Sequence, residues 1–192
     1  MLPARTGLLL TAALVLVPAV RAQTGASSAV RTVAITATKV ASVGITLPAG
    51  GSLNLPGTLS SGINDFSPLP FTTSWSVDPA QTARVSVLAF FEVPAQALAS
   101  GGAAIPSTAI LGRVATGTPT SFAPFTQAAA TGGNAAVESA GGSLLLVSEP
   151  IGPHNAIGER TDQLQMRIDL NGSSTLPAGT YAGTLNLVAI TQ

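Results

Sequence analysis

The chain has 192 residues, no formal net charge and no cysteine, and only 8% of it is charged, against about 25% in an average soluble domain. The missing cysteine excludes disulfides, thiol catalysis and a lipid-modified cysteine, and the missing basic excess argues against a nucleic-acid partner. Apolar residues reach 46%, and the uncharged polar residues are Thr, Ser, Asn and Gln, which points away from disorder and toward β-structure with a hydroxyl-rich surface.

The N-terminus reads as an export signal. Met1 to Arg5 is a short segment with one positive charge, and Gly7 to Val20 is an apolar run with Pro18 near its end. Val20-Arg21-Ala22 places suitable residues for a signal peptidase, so cleavage is expected between Ala22 and Gln23. The run falls short of the roughly 20 apolar residues of a membrane span, and no later segment is apolar enough for one. This reading makes residues 1–22 a signal peptide and 23–192 a single domain, exported to the periplasm, the cell surface or the medium. Removing the leader takes away Arg5 and Arg21, leaving a slightly acidic product.

Alternation with a period of two dominates the rest of the chain. In chain order, strands are expected in "VRTVAITATKV", "SVGITL", "SLNL" and "FTTSWSV", the last turning Phe71, Thr73, Trp75 and Val77 inward. "DPAQTA", from Asp78 to Ala83, reads as the turn of a hairpin into "ARVSVLAFFEV". That strand sets Val85, Val87, Ala89, Phe91 and Val93 against a second face of Ser86, Leu88, Phe90 and Glu92. "VPAQALAS" suggests one short helical turn, and strands return in "STAILGRV" and "SLLLVSEPI". The stretch from Gly112 to Gly142 reads as long loops around one strand. In "RTDQLQMRIDL", Asp162, Leu164, Met166, Ile168 and Leu170 share one face, a core face apart from Asp162 at its start, and "GTYAGTLNLVAIT" is the terminal strand. Gly and Pro punctuate nearly every junction and no amphipathic helix intervenes, so the expected class is all-β, an antiparallel sandwich.

No stretch carries a catalytic or cofactor motif. His154 is the only histidine, in a loop rich in Pro and Gly; Glu149, Glu159 and Asp162 lie nearby, without the spacing of a metal site or the Gly-x-Ser-x-Gly context of a hydrolase. An exposed loop histidine is the expectation, with no catalytic residue, cofactor or metal. Asn171-Gly172-Ser173 matches a glycosylation acceptor and equally an ordinary turn. "LPAG" occurs twice, at Leu47 and at Leu176, as a reused turn with Pro second and Gly where φ turns positive. Trp75 alternates with core residues, whereas Leu88 and Phe90 mark either a partner surface, with Phe90 stacking on a sugar, or a face covered by further structure.

The leader, the Thr-rich strands and the ending "LPAGTYAGTLNLVAI" resemble small secreted bacterial immunoglobulin-like sandwiches, the group of spore coat protein U-like and fimbrial subunit domains. There a Pro-Gly turn and Gly-Thr-Tyr open the last strand, which Tyr181, Leu185, Leu187 and Ala189 match. The absence of a cysteine pair and of a terminal aromatic residue departs from the fimbrial pattern. The resemblance implies an Ig-like sandwich and a non-enzymatic structural or surface-assembly role, with a carbohydrate- or ligand-binding module as the alternative. Its partners would be copies of itself, another exported subunit or a surface glycan. It also implies that the N-terminal segment, with Val33, Ile35 and Ala37 on one face, is either a strand of its own domain or one given to a neighbour.

Overall fold

A computed structural model describes residues 34–48, 51–128, 131–132, 135–136, 141–171 and 176–192. The expected signal peptide, with Ala22 and Gln23, and Val33 lie outside the described residues. Lys39–Gln192 forms one compact unit, and the description below concerns that unit. Of the unit before it, residues 34–38 carry no regular secondary structure, and neither do 39–41. No strand forms in the described part of "VRTVAITATKV", contrary to its alternation, because alternation alone provides no partner for its backbone hydrogen bonds.

The fold is all-β and every pairing is antiparallel. The strands in chain order are β1 (Ser42–Thr46), β2 (Ile63–Asp65), β3 (Leu69–Ser76), β4 (Arg84–Phe90), β5 (Leu98–Ser100), β6 (Ala103–Ile105) and β7 (Ile110–Val114). They continue as β8 (Ala123–Pro124), β9 (Thr131–Gly132), β10 (Ala135–Ala136), β11 (Ser143–Pro150), β12 (Ile157–Asp169) and β13 (Asn186–Thr191). The first sheet runs β1-β3-β12-β7-β8, with β2 beside the end of β12, and the second runs β11-β4-β13. β5 with β6 and β9 with β10 form small separate ladders. The helical turn expected in "VPAQALAS" is a single 3-10 turn, Pro94–Gln96, and "SLNL" forms no strand.

Long β12 organises the first sheet. Its first part pairs with β3, from Ile157 opposite Ser76 to Leu164 opposite Leu69, and its second part pairs with β7 on the other side. Its pleat sends Leu164, Met166, Ile168 and then Leu170 to the buried side, as the alternation requires, and Asp162, excepted from the expected core, is buried on the same face. Phe71, Thr73 and Trp75 of β3 and then Val77 are likewise buried. One core takes Leu69, Phe71, Leu164, Met166 and Ile168 from the first sheet, and Val87, Ala89, Leu144 and Leu146 from the second. A bulge at Leu146 lets that residue and Val147 both enter this core. Phe125 of the loop after β8 joins it edge-on to Phe91, ring centroids 5.2 Å apart.

The turn at Asp78 forms as expected: its carbonyl accepts from the Gln81 and Thr82 amides at 3.1 and 2.9 Å, and its carboxylate from the Ala80 amide. It does not close a hairpin. β3 lies in the first sheet, with β1 and β12 already on its two sides, so the turn carries the chain over to β4 in the second. Leu88 is also corrected: it is 1% exposed, packed on the outer face of β4 with Ile190, Phe90, Leu145 and Val188. Three apolar residues of the neighbouring strands cover it, which removes it as an accessible surface.

Candidate functional site

A cleft lies between two stretches of coil. One wall is formed by residues 53–61 before β2, the other by residues 176–183 before β13, and Phe66, Leu98, Ile168 and Leu170 also line the space. Its volume is about 860 Å3. Both walls are tied down. Asn64 accepts from the Ser60 amide at 2.8 Å and donates to the Ser60 and Gly62 carbonyls at 2.8 and 3.0 Å, which pins the first. On the second, Ala182 and Ala99 exchange backbone hydrogen bonds of 2.9 and 3.1 Å, and the Tyr181 hydroxyl donates to the Pro177 carbonyl at 3.0 Å.

This second wall is the "LPAGTYAG" stretch, expected to open the final strand. β13 instead begins at Asn186. The reason is a close approach: a Cβ at Gly179 would collide with the Ser100 hydroxyl, and one at Gly183 with the Ala97 carbonyl oxygen. The two glycines let the chain lie against β5 before it turns onto β4. Gly179 is therefore there for space, its φ not lying in the left-handed region, whereas Gly51 after the first "LPAG" has φ +27° and closes a turn onto the Pro48 carbonyl. None of the described residues lining the cleft is charged. A smaller hollow of about 500 Å3 adjoins it through Leu170 and Leu176 and includes Asp169.

The ionisable groups gather elsewhere. Arg160 of β12 donates to both carboxylate oxygens of Asp162, at 2.7 and 2.8 Å, and to Glu149 of β11 at 2.9 Å. The Thr116 hydroxyl donates to Asp162 at 2.7 Å. Burial by itself pushes the Asp162 carboxyl up, but hydrogen bonds from Arg160 and Thr116, with the charge of Arg160, outweigh it and hold the pKa below the ordinary range. The same hydrogen bond to Asp162 leads the causes that raise Arg160, against the lowering by burial. Both oxygens of Asp162 are thus occupied, and the cluster works as a tie between sheets. Of the acids near His154 in sequence, Glu149 and Asp162 meet through Arg160, not through the histidine. His154 is exposed in its loop, as expected. Sequence reasoning passed over Arg160, yet its position two residues before Asp162 puts both on the inward face of β12.

Among the described residues no group of three His, Cys, Asp or Glu side chains could hold a metal ion, and no helix is long and apolar enough to cross a membrane. Trp75 is a core residue whose indole donates to the Asn155 carbonyl at 2.8 Å. Phe90 is half-buried beside Leu88. On the outer face of the first sheet, Phe122 lies between the guanidiniums of Arg113 and Arg167, 4.5 and 3.6 Å from its ring centre. The cation stack had no signal in the local sequence, since Phe122, Arg113 and Arg167 come from separate segments.

No protein-family model matches the chain, and neither a curated protein nor a solved structure matches it.

Proposed function

We propose that the protein is an exported, non-enzymatic structural or surface-assembly protein, an Ig-like sandwich that associates with copies of itself or with another exported subunit through its sheet edges. The observation that carries this reading is the pair of edge strands β1 and β13. Among the described residues each pairs with one neighbour, β1 with β3 and β13 with β4, and the two strands lie beside one another without pairing. Exposed edges present unpaired backbone groups, and monomeric proteins commonly guard them with charges, proline or bulges. "SVGIT" and "NLVAIT" contain no charge and no proline. The low overall charge fits a surface that tolerates close neighbours.

The test is the assembly state of the secreted protein, measured by sedimentation, alongside Val188→Lys in β13. The reading expects chains or oligomers from the parent protein and a shift toward monomer in the variant. A parent protein that stays monomeric at every concentration, and adheres to no cell or matrix, would overturn it. N-terminal sequencing of the same sample checks the leader, with Gln23 expected first. A glycan-binding reading centred on the second sheet's outer face has less support, since only Phe90 of the expected pair remains accessible.

A further inference from the structure

We infer that the cleft between residues 53–61 and 176–183 is a binding site for a small uncharged molecule with a long apolar body. This goes beyond the assembly reading and does not depend on it. Folded interiors are normally packed with few voids larger than a water molecule, so open space beside a core needs a cause. Here the walls are held open rather than left loose. Asn64 fixes one and the Ala99–Ala182 pairing fixes the other, while Gly179 and Gly183 press that wall onto β5 instead of into the gap. The volume of about 860 Å3 lies within the range of roughly 300–1,000 Å3 typical of small-molecule sites.

The lining selects the chemistry. Leu53, Leu55, Leu59, Phe66, Leu98 and Leu176 supply apolar surface, and Thr58, Ser60 and Thr180 supply uncharged polar groups. With no charged residue among the described residues of the lining, none of them compensates an anion or a cation for lost hydration. An alcohol or ester with an extended hydrocarbon body fits; a fatty acid anion fits poorly, and an oligosaccharide would leave many hydroxyls against leucine.

The experiment is a fluorescence titration of the full protein with the neutral probe N-phenyl-1-naphthylamine, followed by competition with dodecan-1-ol, dodecanoate and maltoheptaose. Saturable binding of one probe per chain is expected, displaced at least tenfold more effectively by dodecan-1-ol than by dodecanoate and not by maltoheptaose. Two substitutions at exposed lining positions locate it: Ala178→Trp fills the cleft, and Thr58→Glu puts a charge on the opposite wall. Each should weaken probe binding at least tenfold with the melting temperature unchanged, while Ser74→Trp on the outer face of the first sheet changes nothing. Non-saturable binding, or binding untouched by Ala178→Trp and Thr58→Glu, overturns the site. Displacement by maltoheptaose, or by dodecanoate as readily as by the alcohol, overturns the ligand class. Val188→Lys, which addresses assembly, should bind the probe like the parent, so the two readings fail separately.

Discussion

Arg160 and Glu149 join the two sheets: the guanidinium on β12 meets the carboxylate on β11 at 2.9 Å. The same guanidinium holds Asp162, whose side chain is 1% exposed against 31% for Glu149. Burial therefore makes the two carboxylates unequal, although both pair with one arginine.

Asp162→Ala should destabilise the protein by about 2 kcal/mol, because Thr116 and Arg160 lose a partner in a nearly water-free position. Glu149→Gln should cost less than about 1 kcal/mol, since solvent screens the more exposed pair. Chemical denaturation of both variants measures the difference, and equal losses would contradict the ranking.

Acid should weaken the fold through Asp162. A carboxyl with a lower pKa in the folded than in the unfolded state contributes stability above the unfolded value and loses it as pH falls through the folded one. The contribution of Asp162 is therefore intact above about pH 5 and disappears as pH falls below the ordinary carboxyl value of 3.8. Urea midpoints at neutral pH and at about pH 3 should differ less in Asp162→Asn than in the parent protein. The same acid loss in both would place the sensitivity in another group.

Thr73→Val should stabilise. The Thr73 hydroxyl is buried and has no hydrogen-bond partner among the described residues. Valine keeps the shape and removes an unpaired polar group, for a gain of about 1 kcal/mol. Thermal unfolding at neutral pH checks the direction, and a lower midpoint would mean that the hydroxyl is satisfied in solution.

Gly158→Ala should destabilise by about 1–3 kcal/mol through overpacking. Gly158 lies opposite Trp75 on the neighbouring strand, and a Cβ there would collide with the indole ring. Trp75 is the only tryptophan, so its emission reports the displacement directly. An unchanged spectrum and unchanged stability would show that β12 moves aside without cost.

The sequence by itself determined what the pleat of a strand dictates locally. Successive side chains point to opposite faces, so the core set from Leu164 to Leu170, the inward set of β3 and the turn at Asp78 were all legible, whereas the burial of Asp162 was not. Only the tertiary structure decided what depends on distant partners. Turn residues specify a reversal but not the sheet that receives the next strand, so β3 and β4 looked like a hairpin and proved to lie in different sheets. Alternation names two faces but not what covers the second, so Leu88 looked accessible and is covered by β11 and β13 neighbours. "LPAGTYAG" carries strand and turn signals together, and contact of Gly179 and Gly183 with the β5 region made it a cleft wall. Arg160 and Glu149 meet because two sheets stack, and no spacing along the chain encodes that contact, since it is fixed by the free energy of burying a shared core.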